Sequence, residues 1–202
     1  MSPGKAAAFV LNGGVDLLDA HGLALRAFDE AVHAIGPDDW RRRTPCTEWT
    51  VRDLVNHLVN EQLWAPPLLA GATLDDVGDE FDGDVLGDDP VTAWESAAEA
   101  CRDAFLGDRV LLRTVHLSTG LTPAEEYGWQ LTIDAAVHSW DLAIALGRPH
   151  PIKEALAERL LDVVRPWLDE WQGLGIFDPP VAVGRGAAPA SRLVALLGRR
   201  PR

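Results

Sequence analysis

The stretch LTIDAAVHSWDLAIALG, residues 131–147, reads as an apolar helix built for a core, yet it carries Asp134, His138 and Asp141. A carboxylate among such neighbours costs free energy unless it is paired or bound to a cation. Residues at i and i+4 share a helix face, about 6 Å apart along the axis. Asp134 and His138 therefore point the same way. That geometry either chelates one divalent metal or forms a carboxylate–imidazole pair. A bare Asp-x-x-x-His is a weak motif, and on this helix alone a satisfied polar pair is the plainer reading.

The rest of the chain supplies partners for such a helix. Apolar residues at three-four spacing run through 15–35 (Leu17, Leu18, Leu25, Phe28, Val32, Ile35), and Gly36-Pro37-Asp38 stops that helix. Thr50 with Asp53 resembles a capping box, which starts a second helix near Val51; Pro66 and Pro67 kink or end it. Asp89 caps a third helix, with Pro90 at its first position, that reaches about Leu106. Residues 108–120 are an extended connector or a short strand pair. Thr122, Pro123 and Glu125 are the start signals of a fourth helix, which Gly147 ends. A fifth helix over 152–171 is kinked at Pro166, and residues 190–200 close with one or two helical turns. The expectation is a mainly all-α chain: an up-down four-helix bundle with a short extended connector and a small C-terminal extension.

Composition narrows the function classes. The chain has 202 residues, 47% hydrophobic and 24% charged, the balance of a soluble globular protein. A net charge of -13 repels phosphate, which argues against nucleic acid and anionic membranes as partners. No run reaches the roughly 18 apolar residues of a membrane span, and the start of the chain lacks the pattern of a signal peptide, so a cytoplasmic location is expected. Residues 74–90 are acidic without a base and fit no EF-hand spacing, so a solvated loop is the reading there. The two cysteines, Cys46 and Cys101, form no CxxC pair, which excludes a thiolate zinc site by spacing; Cys46 reads as a small buried thiol.

A second helix gives the Asp134–His138 pair its weight. His57 lies among Leu54, Val55, Leu58 and Val59, where a lone histidine is usually core. Bundle metal sites, however, are built from inward side chains on facing helices. His57, Asp134 and His138 together make a two-histidine, one-carboxylate set. That set suits a catalytic zinc with an open position, or another first-row metal. Asp141 could orient a ligand imidazole or make a structural contact. Glu61, one turn after His57, could be a fourth ligand, a base or a solvated residue, and Gln130 has a weaker claim. Trp140 reads as packing. His116, His21, His33 and His150 read as surface-like residues outside the site.

TPCTEWTVRDLVNHLV (44–59) joined to VHSWDLAIALG (137–147) resembles the mycothiol-dependent maleylpyruvate isomerase family of actinobacterial metal-binding proteins, within the wider DinB-like four-helix-bundle fold. DVLGDDPVTAWESAAEA (84–100) and the tail ASRLVALLGRRP (190–201) resemble the same branch, so the likeness covers most of the chain. It implies a DinB-like metal-binding core over 1–150, with an additional helix and C-terminal extension over 151–202 packed on it in a single domain. It also implies His57, Asp134 and His138 as ligands of a divalent metal, zinc before nickel or another first-row ion. One departure stands out. The family's best-known isomerase has glutamate where this chain has Asp134, one methylene shorter and so different in reach and denticity.

The resemblance further implies mycothiol as co-substrate. A metal lowers a thiol's pKa and makes a thiolate available at neutral pH. That thiolate would add to an electrophilic small molecule, as an isomerase if the thiol leaves again or as an S-transferase if it stays. Maleylpyruvate itself is not implied, because its anion-binding groups have no evident place here. Arg41–Arg43 and Arg52 are expected to pair with the acidic loop instead. The alternatives are a metal-binding bundle without turnover and a hydrolase using activated water.

Overall fold

The computed structural model describes residues 15–173 and 177–201. The first 14 residues, where a signal peptide was sought, lie outside it, as do 174–176 and 202.

Four helices form the bundle. Helix α1, Leu17–Val32, is capped by Asp16, whose carboxylate accepts from the Asp19 amide at 2.9 Å. It buries Ala20, Ala24, Phe28 and Val32 along one stripe. Helix α2, Val51–Ala70, opens with the expected capping box between Thr50 and Asp53. It runs through Pro66 and Pro67 rather than ending there. The missing amides fall in its last turns, where buried Leu68 and Leu69 hold the backbone in helix and left-handed Gly71 closes it. After the single turn α3, Leu74–Val77, comes α4, Pro90–Phe105, capped by Asp89 as expected.

Helix α5, Ala124–Leu146, is the centre of the molecule, with 17 of its 23 residues buried. It has no dry-wet division, which is why its sequence reads apolar on every side. Gly128 marks a close approach: a Cβ there would lie 2.9 Å from Leu17 and 3.0 Å from Phe105. The start differs from expectation. Thr122 does not cap α5, because its backbone is engaged in a hairpin between β1, Thr114–Leu117, and β2, Gly120–Pro123, where it pairs with Val115.

The packing ring runs α1, α5, α2, α4, so α1 and α2 lie diagonally, as do α4 and α5. This is not a simple up-down order. The α1–α2 connection and the hairpin connection are both long enough to cross the end of the bundle. Among the described residues the structure is thus mainly helical, with a single two-stranded sheet, as expected.

Beyond it, α6, Glu154–Val164, breaks at Pro166 into a 3₁₀ turn, Arg165–Trp167, and α7, Leu168–Gly173. Helix α8, Pro189–Leu196, packs on α6, and their buried leucines and valines join the bundle's main core. The acidic segment is strapped to α2 rather than free. Asn56 bonds Gly83 and Val85, Asn60 bonds Phe81, and Arg52 pairs with Asp84 at 2.7 Å. Arg42 and Arg43 instead serve their own loop, through Asp39 and the Glu48 carbonyl. Among the described residues no helix is long and apolar enough to cross a membrane.

Candidate metal centre

The polar side chains of α5 divide into two kinds. Thr132 and Ser139 donate to carbonyls of their own helix, Gly128 and Ala136, each at 2.6 Å. Asp134, His138 and Asp141 instead reach across the bundle. His57 on α2 meets them: its Nε2 lies 3.3 Å from Asp134 Oδ2, and His138 Nε2 lies 3.3 Å from Asp134 Oδ1. The two imidazoles are nearly perpendicular, at 79°, with centroids 5.3 Å apart. One donor atom from each of His57, Asp134 and His138 falls within 4.8 Å of the others.

The environment of Asp134 suits a cation. Its Oδ2 is buried and has no well-formed hydrogen bond, although His57 Nε2 lies 3.3 Å away. Burial alone would push this carboxyl's pKa up, but the charges of His138 and His57 hold it well below the usual range. Asp134 is thus an ionised carboxylate with one oxygen unspent.

Asp141 sits on the other side of His138, completely buried, with Oδ2 3.0 Å from His138 Nδ1. Burial pushes Asp141 up, while its bond to His138 and the nearby Arg199 charge bring it below the ordinary carboxylate range. An ionised carboxylate only accepts, so His138 Nδ1 carries the proton. Burial works against a charge on this ring, but the Asp134 carboxylate and the ring's hydrogen bonds raise its pKa well above the ordinary value. Without an ion Nε2 therefore also carries a proton, directed at Asp134 Oδ1, and a bound ion would take that proton's place. This is the arrangement by which an outer carboxylate fixes the tautomer of a ligating histidine.

The donor set opens on one side to a cavity of about 480 Å³, whose wall includes His57, Asp134, Glu61, Gln130 and Tyr127. Glu61 lies outside the cluster of converging donors. Burial, and then the Asp134 charge, push its carboxyl up.

The model of the mycothiol maleylpyruvate isomerase N-terminal domain matches residues 21–143, a span that contains His57, Asp134, His138 and Asp141. The chain belongs to this family. Two uncharacterized proteins of Mycobacterium tuberculosis, from two strains, are each 31% identical to it, over 93% of this chain and 100% of theirs. A crystal structure of a mutant mycothiol-dependent maleylpyruvate isomerase superposes with a TM-score of 0.59 at 15% identity, covering 76% of this chain and 70% of that one. At that identity the likeness speaks for the fold alone.

Three residues near this cluster were not foreseen. Cys46, read as a small buried thiol, is half-buried, with Sγ 3.4 Å from Asp141 Oδ2 and 3.8 Å from His138 Nδ1. Spacing gave no sign of this, since 92 residues separate Cys46 from His138. Arg199, in the tail beyond the family match, donates to Asp141 Oδ2 at 2.9 Å. Its guanidinium already compensates the Cys46–Asp141 side, which disfavours a second cation there. Trp49 stacks near both histidines, with centroids 4.8 Å from His57 and 5.7 Å from His138. Its place just before the Thr50 cap was the available signal.

The remaining histidines fall elsewhere. His21 is not surface-like: it is 1% exposed, edge-on to Phe105 at 5.2 Å. His33 pairs with Glu95 at 3.0 Å on the α1–α4 surface, and His116 is exposed on β1. Trp140 packs in the core as expected.

Proposed function

We propose that the protein is a divalent-metal-dependent enzyme of the thiol-using class, with His57, Asp134 and His138 as ligands and zinc as the first candidate. The observation that carries this is the convergence of three donors from two facing helices, with the Asp134 Oδ2 atom buried and unbonded between them. Two neutral imidazoles and one carboxylate form the donor set of zinc sites that keep an open position. When bound, such an ion lowers the pKa of a thiol at that position, so that a thiolate is available at neutral pH.

The chain's own groups do the rest. Asp141 holds the proton of His138 on Nδ1 and aims Nε2 at the ion position. Trp49 covers the histidines. Glu61, on the cavity wall one turn past His57, is the group we assign to hold the proton that the thiol releases. The family membership supports mycothiol as that thiol. The thiolate adds to an electrophilic carbon of a small molecule in the cavity. The outcome is isomerisation if the thiol departs again; where it remains, S-transfer is completed by return of the proton from Glu61 to the carbanion of an alkene, or by departure of the halide from a halide substrate.

The test is turnover. Zinc-loaded protein with mycothiol and a panel of activated alkenes and halides should consume an electrophile. Activity should require the thiol and vanish in His138→Ala. Thiol-independent consumption, or activity equal in His138→Ala, would overturn the proposal.

A further inference from the structure

We propose a second metal site: a surface clamp between α1 and α4, in which Asp29, His33 and Glu95 hold a first-row divalent ion. It lies outside the proposed function and does not depend on it.

Asp29 and His33 stand one turn apart at the end of α1, and Glu95 meets them from α4, which packs against that helix. One donor atom from each falls within 4.8 Å of the others. His33 Nε2 lies 3.0 Å from Glu95 Oε1 and 3.6 Å from Asp29 Oδ1. Donors bound to zinc at about 2.0–2.1 Å in a tetrahedron stand roughly 3.3 Å apart, so small shifts of these side chains admit an ion. The pattern repeats the set on α5 and α2: a carboxylate and an imidazole at i and i+4, with the third donor from a facing helix.

An ordinary ion pair does not account for the whole group. One imidazolium balances at most one carboxylate, and among the described residues no arginine or lysine pairs with Asp29 or Glu95. A divalent ion in place of the imidazole proton balances both. The buried Trp94 donates its indole N–H to Asp29 Oδ1 at 3.1 Å, which fixes that carboxylate as an outer partner fixes a metal ligand. His33 is the C-cap of α1, and the carbonyl end of a helix favours a cation.

The imidazole selects zinc, nickel or copper over calcium and magnesium. All three side chains are about half exposed, so water fills the remaining positions and the ion braces two helices. No described group holds His33 Nδ1. The clamp is therefore weaker than a centre whose histidine is held by a carboxylate, by about 10- to 100-fold.

The full chain carrying His57→Ala/His138→Ala tests the clamp without the first set of donors. Zinc titrated into it at about neutral pH should bind one ion per chain with a dissociation constant below about 1 mM, read by calorimetry, and should raise its Tm. Adding His33→Ala should abolish both effects, and adding Glu95→Gln should weaken binding at least about tenfold. Adding His116→Ala, on exposed β1, should change neither. A second measurement uses the wild-type chain: zinc in excess should shift the NMR signals of the His33 ring and leave those of His116 in place. No binding at millimolar zinc, binding equal with and without His33, binding lost with His116, or an unmoved His33 ring would each overturn the proposal. Because the double variant lacks the donors on α2 and α5, failure here leaves the first centre standing, and failure of that centre leaves this one testable.

Discussion

Asp141 Oδ2 lies 3.0 Å from His138 Nδ1, on the side of the imidazole away from Asp134. The buried carboxylate therefore decides which nitrogen of His138 is free to act as a ligand. Asp141→Asn keeps the shape but removes the charge that holds the proton on Nδ1. Zinc affinity is expected to fall about 10- to 100-fold, read by competition with a chromophoric chelator. Unchanged affinity would mean that Asp141 is structural only.

Arg199 is the counter-charge of that carboxylate, at 2.9 Å. Arg199→Met leaves Asp141 buried with one partner fewer, and breaking such a pair costs about 3 kcal/mol. Urea unfolding should show that loss. Most of it should be recovered in Arg199→Met/Asp141→Asn, where no unpaired charge remains. The double variant being as unstable as the sum of the singles would contradict the pairing.

These two residues also show where sequence reading reached its limit. The helix positions, the Thr50–Asp53 and Asp89 caps and the kink at Pro166 were legible, because capping and periodicity act within a few residues. That His57, Asp134 and His138 converge was legible through i,i+4 spacing and the habit of bundles to face such residues inward. Cys46 and Arg199 were not. Their contacts with Asp141 span 95 and 58 residues, and no local pattern encodes a tail that folds back onto α5. His21 was misplaced for a related reason: nothing local marks it as buried, and its cover is Phe105 from α4. Thr122 carried a sound capping signal that lost to hairpin pairing, a tertiary choice.

His21 gives the protein a titratable weakness. Burial, and then the Arg102 charge, lower its pKa from 6.5 to about 4. The folded state therefore keeps it neutral, while the unfolded chain takes up a proton below about pH 6.5. Stability from this group is full above pH 6.5 and is lost as pH falls towards 4. Between pH 7 and pH 4 the wild type should lose roughly 3 kcal/mol more than His21→Leu. Parallel pH dependence of the two proteins would refute it.

The strap on the acidic segment makes a local prediction. Asn56 donates to the Gly83 carbonyl and accepts from the Val85 amide, both at 2.9 Å. Asn56→Ala should cost about 1 kcal/mol and speed limited proteolysis within residues 79–88. Cleavage at the wild-type rate would show that Arg52 and Asn60 suffice to hold the segment.

Zinc titration is the most direct test of the central claim. Metal-free protein, titrated against a chelator of known affinity, should bind one zinc ion per chain at micromolar affinity or better. His57→Ala, Asp134→Asn and His138→Ala should each lose that binding while remaining folded by circular dichroism. Asp29→Asn, on the distant α1–α4 surface, should keep it. A wild-type protein that binds no zinc, nickel or cobalt, or ligand variants that bind as tightly as the wild type, would contradict the assignment of His57, Asp134 and His138.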